Sequence, residues 1–594
     1  MPIERHHVPS DPVESSRPTR LVRRLALMLA AAAGLQLLYW WRGHAFVADQ
    51  VAHPRGPFLY NLIQTPGPHA LAEYLDRADA IWLAFQLVWL GLAVTLVAAP
   101  ALESATARLH AACLRFGRAC ADRPMLFLSC GFVLVAAVTS LIGWLVLLHF
   151  PNSGDEYCYL YQADTFLAGR FSNTPHPLQA FFATSHVIAR NGHLFSVFPP
   201  GFPAVIAVAA RLGLPAWAIN PLLSGGLFVV VFFLTRRVTA DGATAALTSL
   251  TLAWSSYFLM TGASFFSHTA CAFFVVGAML AMLRMADGSA WSAALAGFLA
   301  GMAVIVRYYT PMLCLLPLTI VLLRERRWRT EYLWAVAGAV PPLAFLLVFN
   351  RAVTGNALVL GKGGVSQYDE LWFDHGFWHR GPEFMVAHLW DLTVWTPPAL
   401  LLAYLLFLRT TPLKSRLGAV GAGFACLVIG LLPYINRGGN QYGPRFYFDG
   451  FPLLVIGALA ALFGTTPFAG RTRLARRLIY LFFVGLLAHV PVAIHHLRTR
   501  HEDVVERLDV ARQVDAAHLE HALVFVTTPV GTARPMPATD YIRNGLTFDT
   551  SVLYALDRGA ENRQLEAYYP DRGCYTYSYD PHARAGSLAI CHAK

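Results

Sequence analysis

The stretch "MLFLSCGFVLVAAVTSLIGWLVLLHFPNSGDEYCYLYQADTFLAGRF" occupies residues 125–171. Its first 25 residues are mostly apolar and carry no acidic or basic side chain other than the final histidine. An α-helix needs about 20 such residues to cross the hydrocarbon core of a bilayer. Two adjacent acids, Asp155 and Glu156, follow within a few residues. The sequence therefore predicts a spanning helix that ends next to a pair of carboxylates at the membrane surface.

The composition indicates that the chain contains many such helices. Of 594 residues, 56% are hydrophobic and 14% are charged, whereas soluble domains carry about 25% charged residues. The apolar runs are continuous rather than alternating, which favours helices over a β-barrel. The net charge of +11 does not indicate nucleic-acid binding, because the basic residues fall in short clusters between apolar runs.

We predict thirteen spanning helices and a cytoplasmic N-terminus. With this topology the dense Lys/Arg clusters share one side of the membrane, except in the C-terminal tail, as the positive-inside rule requires. The first apolar run could also be a cleaved signal peptide, but its length and its aromatic end favour an uncleaved helix. The predicted spans are 24–41, 80–102, 125–149, 217–236, 242–261, 265–284, 291–306, 309–323, 332–349, 393–408, 417–434, 447–463 and 477–494.

The chain divides into three predicted regions. Residues 1–124 hold an N-terminal cytoplasmic tail and two extra transmembrane helices, and residues 125–494 form the main transmembrane module. Residues 495–594 form a small extracytoplasmic α+β domain. Within the outer loops, the segments 199–213 and 383–395 are too short or too mixed to span, so we expect helices lying in the membrane interface.

Two cysteines, Cys574 and Cys591, lie in the predicted extracytoplasmic domain. If that side of the membrane is oxidising, they are expected to form a disulfide. The alternative is a pair of free thiols. The remaining cysteines are scattered without the spacing of a metal site.

Several motifs after the acidic pair occur in a characteristic order over about residues 125–463. Together with the pair, this order resembles the GT-C superfamily of integral-membrane glycosyltransferases. It is most similar to the polyprenyl-phosphate-sugar-dependent branch, which contains the protein O-mannosyltransferases and the aminoarabinose transferases of lipid A. The motifs are "PPGFP" (199–203), "ASFFSHTACAFFVVGAMLAMLRMADG" (263–288), "ALAGFLAGMAVIVRYYTPMLCLLPLTIVLL" (294–323), "NRAVTGNALVLG" (350–361) and "GGNQYGPRFYFDGFPLL" (438–454).

The resemblance implies an all-α polytopic membrane protein with a GT-C-like catalytic module and about 13 transmembrane helices. It implies an enzyme of the bacterial inner (cell) membrane with its C-terminal domain in the periplasm. Such an enzyme passes a sugar from a polyprenyl-phosphate donor to a glycan, lipid or protein acceptor, with inversion. In this branch an acid near the start of the first outer loop activates the acceptor. By position that residue is Asp155, with Glu156 beside it.

A lipid-linked phosphate requires cations next to apolar surface. Arg307 and Arg445 are placed at the outer ends of predicted helices, and Lys362 lies in an outer loop. The guanidinium group suits phosphate because it donates two parallel hydrogen bonds. We predict these three residues as phosphate contacts. The alternative for each is an ion-paired or snorkelling side chain at the interface.

Four further residues are predicted to bind substrate. His268 lies near the outer end of its helix and faces either a ligand or the core. Tyr308 follows Arg307, and Tyr368 and Trp372 lie in the large outer loop. The aromatic rings of Tyr368 and Trp372 suit stacking on a sugar face, although the same residue types anchor helices at the interface.

No cofactor is predicted with certainty. Some members of the superfamily use a divalent metal, which leaves such an ion open, but no residues show metal-site spacing and we predict no metal site. The main alternative function is a lipid or sugar transporter, or a flippase, of the cell-envelope pathway. Such proteins place ionisable residues in mid-membrane and often have repeated halves, whereas the predicted spans here are nearly free of charge.

Overall fold

The computed structural model of the protein describes the chain from residue 103 onwards, with internal gaps. The predicted spans 24–41 and 80–102 lie outside the described residues, as do Lys362, Tyr368 and Trp372. The described residues are 103–184, 186–325, 330–361, 382, 385, 388–389, 391–433, 442–464, 473–527, 544–580, 583 and 585–591.

The membrane part is built from helices, and longer connections follow α3, α11 and α13. The helices are α1 (Glu103–Asp122), α2 (Pro124–Leu145), α3 (Gly154–Leu167), α4 (Gly201–Arg211), α5 (Ile219–Thr239), α6 (Gly242–Trp254), α7 (Ser256–Ala263), α8 (His268–Met285), α9 (Ala290–Val306), α10 (Thr310–Arg324), α11 (Thr330–Thr354), α12 (Pro398–Thr410), α13 (Arg416–Gly430), α14 (Phe451–Phe463) and α15 (Arg473–Ala516).

The protein is a multi-pass membrane protein. Among the described residues, six helices are long and apolar enough to cross a membrane, and several shorter apolar helices accompany them. The span that ends in α14 is wholly buried inside the bundle, whereas only 17% of the residues of α2 and of α11 are buried. Apolar side chains such as Trp144 of α2 therefore remain for lipid to cover. The predicted helical membrane fold is confirmed, and the total of thirteen crossings stays a prediction.

One predicted span is divided in the structure. The apolar run 242–261 forms two helices, α6 and α7, which are separated at Ser255. The backbone of Ser255 is extended, with φ −72° and ψ 122°. Serine hydroxyls compete for backbone hydrogen bonds and favour helix ends over helix interiors. Hydropathy alone does not register such a break, because the run remains apolar on both sides.

Glycines bring two helices of the bundle into backbone contact. A Cβ atom on Gly297 of α9 would lie 1.7 Å from the Ala335 carbonyl oxygen in α11. A Cβ atom on Gly338 of α11 would lie 1.9 Å from the Ala294 carbonyl oxygen in α9. Small residues at such crossings allow close van der Waals packing, which holds membrane helices together where lipid is as apolar as the side chains.

The C-terminal domain is a small α+β unit, as predicted. Its strands are β3 (Ala522–Val526), β4 (Val552–Leu556), β5 (Gly573–Asp580) and β6 (Ala585–Ile590), and α16 (Asn562–Tyr568) precedes β5. The strand order is β4-β3-β5-β6. Strand β3 runs parallel to β4 and β5, and β6 runs antiparallel to β5. A disulfide joins Cys574 to Cys591, whose Cα atoms are 5.4 Å apart.

Helix α15 links the membrane part to this domain without a break. The predicted domain boundary between residues 494 and 495 falls inside the helix, which continues to Ala516. The loop after α3 also contacts the domain. A ring nitrogen of His176 lies 2.9 Å from the Tyr569 hydroxyl, and the rings of Phe182 and Phe548 are 4.6 Å apart. These contacts fix the domain beside the loop that begins with α3.

Candidate active site

The acidic pair occupies the first turn of α3. Ser153 is the N-cap, and its hydroxyl oxygen accepts a hydrogen bond of 3.2 Å from the Glu156 backbone N–H. Serine at this position satisfies a helix donor that has no partner within the helix, and the helix dipole favours negative charge there. The sequence "NSGDE" therefore starts a helix and places both acids in its first turn.

Asp155 lies between two cationic or hydrogen-bonding side chains. One carboxylate oxygen is 2.7 Å from Nη1 of Arg445, and the other is 3.1 Å from Nε2 of His186. His186 belongs to the turn that leads into the hairpin of β1 (Val187–Arg190) and β2 (His193–Ser196). Burial alone would raise the pKa of Asp155. The charge of Arg445 and the His186 hydrogen bond outweigh burial and hold the pKa below its ordinary range.

Glu156 has a different environment from its neighbour. Its side chain is buried, and each oxygen accepts one backbone hydrogen bond, from Asn152 N–H at 2.7 Å and from Phe265 N–H at 2.9 Å. Burial raises its pKa to about 7, although these hydrogen bonds oppose the shift. Glu156 therefore ties the start of α3 to the turn before α8.

Replacing Glu156 with Gln is expected to lower stability by about 1–3 kcal/mol, because one buried N–H would face an amide NH₂ instead of an acceptor. The loss should be largest near pH 4.5 and shrink towards pH 7. Glu156 loses its proton near pH 4.5 in the unfolded chain and near pH 7 in the folded chain. Between these two pH values the unfolded state is favoured by the release of the proton, so the wild-type protein loses stability as the pH rises. The Gln variant has no proton to release here and keeps its stability. Thermal unfolding of the purified protein at several pH values checks this, with the exposed Glu520→Gln as control. An unfolding curve equal to that of the wild type would contradict it.

A second charged cluster lies inside the bundle. Asp449 is fully buried, and its carboxylate is 2.8 Å from Nε of Arg307 and 3.0 Å from Nδ1 of His268. The Thr310 hydroxyl donates to the same carboxylate. A second nitrogen of Arg307 lies 3.3 Å from Nε2 of His268. His268 therefore belongs to an ionic network within the bundle.

A single 3₁₀ turn, Arg445–Gly450, connects the two clusters. Arg445 begins the turn and pairs with Asp155, and Asp449 near its end pairs with Arg307. The ring of Phe446 lies between them, with guanidinium carbons 5.5 Å away for Arg445 and 5.6 Å away for Arg307. Both arginines therefore lie within cation–π distance of one aromatic ring, which favours both cations.

Two polar groups near this turn have no hydrogen-bond partner in the described part of the chain. They are Nε of Arg445 and the hydroxyl of Tyr308, and both atoms are buried. Buried polar groups are almost always satisfied, so an unsatisfied one requires an explanation such as an absent ligand.

The structure thus brings together five of the predicted residues, Asp155, Glu156, Arg445, Arg307 and His268, in two adjoining clusters. The sequence analysis did not identify Asp449. The sequence nevertheless contains an indication of it. Asp449 is an acid inside the otherwise apolar predicted span 447–463, and an acid in such a position often marks a functional site. Among the described residues, no three His, Cys, Asp or Glu side chains come together in a group that could hold a metal ion.

Comparison with known proteins supplies a domain match and several structural similarities. Residues 522–589 match a family model described as a domain of unknown function, DUF7846. A comparison with curated proteins found no match.

Several solved structures resemble this chain at low sequence identity. ArnT from Cupriavidus metallidurans bound to undecaprenyl phosphate has 15% sequence identity and a TM-score of 0.48, over 76% of this chain and 94% of ArnT. The apo form of ArnT gives 14% identity and a TM-score of 0.47, over 77% and 94%. The mycobacterial arabinofuranosyltransferase AftD has 15% sequence identity and a TM-score of 0.38, and the match covers 75% of this chain and 35% of AftD.

With 14–15% identity and TM-scores below 0.5, these similarities carry no argument about this chain. What this chain does has to follow from its own residues.

Proposed function

We propose that this protein is a glycosyltransferase of the bacterial inner membrane that moves a sugar from a polyprenyl-phosphate donor to an acceptor on the periplasmic side. The observation that carries this function is the pairing of Asp155 with Arg445 beside the Arg307 cluster. A carboxylate suited to proton transfer and two guanidinium groups suited to phosphate occur together, next to a buried aromatic ring. The apolar bundle below them suits a polyprenyl chain.

The reaction requires one proton transfer and one charged leaving group. The acceptor hydroxyl oxygen attacks the anomeric carbon from the side opposite the phosphate, so the configuration inverts. The bond between the anomeric carbon and the phosphate oxygen breaks as the new bond forms, and Asp155 takes the hydroxyl proton. The departing polyprenyl phosphate gains negative charge and therefore needs cations more than it needs a proton donor.

The Asp155–Arg445 ion pair gives the donor a second role. While Arg445 holds the carboxylate, the low pKa of Asp155 makes it a weak base. A donor phosphate competes with Asp155 for Arg445, since a guanidinium group forms charge-assisted hydrogen bonds with carboxylate and phosphate alike. The unsatisfied Nε–H of Arg445 offers the first contact. Donor binding would then free Asp155 to accept the proton of the acceptor hydroxyl.

One observation favours the alternative of a transporter or flippase. The network of Asp449, Arg307 and His268 is buried within the bundle, and ionisable residues in that position often mark a substrate or proton path. The same network also suits a transferase, because it fixes Arg307 next to Phe446. The two functions differ in the products that they form.

The purified full-length protein, reconstituted in vesicles with radiolabelled polyprenyl-phosphate sugars and a cell-envelope extract as acceptor source, distinguishes them. A transferase moves the label to an acceptor and leaves unlabelled polyprenyl phosphate. A flippase moves the intact labelled lipid between leaflets and forms no new glycoside. Transbilayer movement without any transfer would overturn the proposed function.

Replacing Arg445 with Gln is expected to weaken donor binding by about 10- to 100-fold, since hydrogen bonds to charged groups contribute about 1.5–3 kcal/mol each. The KM for the donor should rise more than kcat falls, because Asp155 becomes a stronger base once its partner is removed. Donor titration of initial rates measures both. The control is Arg170→Gln, at an exposed position in the loop that follows α3. An unchanged donor KM would remove Arg445 from the phosphate site.

A further inference from the structure

The C-terminal part of α15 contacts the segment that precedes the acidic pair. Nη1 of Arg507 donates a hydrogen bond of 2.5 Å to the Asn152 carbonyl oxygen. One turn and a half earlier on the same helix, a ring nitrogen of His501 lies 3.2 Å from the Val146 carbonyl oxygen, just after α2. The helix that leads to the periplasmic domain is therefore tied at two points to the connection between α2 and α3.

Asn152 carries this contact onward to the site. Its backbone N–H donates to the Glu156 carboxylate at 2.7 Å, and Asn152 itself is buried. Arg507 therefore contacts the backbone carbonyl group of Asn152, and Glu156 contacts its backbone amide group. The two side chains together fix the main chain of this residue. Glu156 adjoins Asp155 in the first turn of α3, so the position of Asn152 sets the position of Asp155.

The arrangement of Arg507 differs from that of its neighbours on α15. Arg500 pairs with Asp503 at 2.7 Å, and Arg498 pairs with Glu502 at 3.0 Å, both within the helix. Among the described residues, Arg507 forms no ion pair, and its Nε–H, like that of Arg500, is buried without a partner. The side chain of Arg507 is half-buried, and the hydrogen bond that it donates goes to the chain before α3 and not to α15, so its contact serves the connection between the two helices.

We infer that Arg507 is a positioning residue of the active site, which holds the first turn of α3 through Asn152 so that Asp155 reaches the acceptor. This role rests on the proposed transferase function. It also makes the periplasmic extension of α15 part of the catalytic machinery, although it lies outside the motifs that resemble the GT-C superfamily.

The test compares three variants of the full-length protein: Arg507→Gln, Arg507→Lys, and Arg498→Gln as control. Arg498 lies on the same helix with its side chain 80% exposed. In Arg507→Gln, kcat should fall about 10- to 100-fold, the typical effect of a small misplacement of a catalytic group, while the donor KM stays within about twofold of the wild type. Lysine keeps a charged donor and should recover a part of the rate. The control should behave as the wild type.

Hydrogen exchange provides a readout that needs no activity. The backbone amides of residues 152–157 should exchange faster in Arg507→Gln than in the wild type and the control. Unchanged exchange there would overturn the positioning role. An unchanged kcat in Arg507→Gln would also overturn the positioning role. A fall in kcat that is fully explained by the fraction of unfolded protein would overturn it as well. If the wild-type protein transfers no sugar, the proposed function fails, and the exchange rates still decide whether Arg507 holds α3.

Discussion

Asp155→Asn is expected to reduce sugar transfer by about 10²- to 10⁴-fold, the usual contribution of a general base. Asparagine has the size of aspartate, and its carbonyl oxygen can still accept a hydrogen bond from Arg445. It cannot take a proton from the acceptor at any working pH. The fold should therefore remain intact while the chemical step fails. Initial rates with a radiolabelled polyprenyl-phosphate donor measure the loss, and thermal unfolding measures the stability.

The matched control is Asp164→Asn. Asp164 belongs to the same helix, α3, but its side chain is exposed. Its substitution should leave the transfer rate within about twofold of the wild type, since surface substitutions seldom matter. Turnover of Asp155→Asn at the wild-type rate would refute the assignment of Asp155 as the base.

Asp449→Ala is expected to have the largest effect on stability, a loss of about 3–5 kcal/mol. Asp449 is the carboxylate that both Arg307 and His268 contact inside the bundle. Its removal takes the buried carboxylate away from Arg307 and His268, and the cost of breaking a buried pair far exceeds that of losing a surface pair. The midpoint of thermal unfolding in detergent should fall by many degrees.

An exposed ion pair supplies the control for this prediction. Arg237 and Asp287 form a salt bridge whose side chains are 39% and 51% exposed, and such pairs contribute about 0–1 kcal/mol. Asp287→Ala should therefore change the unfolding midpoint little. The double variant Asp449→Ala/Arg307→Met should regain a part of the stability, because it also removes the guanidinium charge that Asp449 balances. If Asp449→Ala unfolds as late as Asp287→Ala, the buried network does not stabilise the bundle.

Local sequence patterns were sufficient for much of the fold. The run 125–149 and the "NSGDE" segment specify a spanning helix and a capped helix start, and these are α2 and α3. The pair of short runs 291–306 and 309–323 corresponds to α9 and α10. The short apolar run "ALVFV" (522–526) forms the strand β3. Each of these features depends on neighbours in the chain, which a pattern can register.

Local sequence patterns could not predict which residues contact each other within the site. Asp155 and Arg445 are 290 positions apart in the sequence, and nothing near either residue specifies the other. The sequence placed Asp155 and Arg445 separately on the outer side, as base and phosphate contact, but the structure shows them bound to each other. Asp449 was overlooked because apolar residues surround it. The contact of Arg507 with Asn152 depends on α15 continuing past the predicted domain boundary, which hydropathy does not show.

The unbroken course of α15 has a mechanical consequence. Its 44 residues correspond to a rod of about 66 Å at 1.5 Å per residue. Inserting one residue midway along this rod would turn everything beyond it by about 100° and advance it by 1.5 Å. Arg507 would then rotate away from Asn152, and the sheet would rotate with it. The number of residues in this helix is therefore constrained as strictly as their identity, because it sets the direction in which Arg507 and the sheet face.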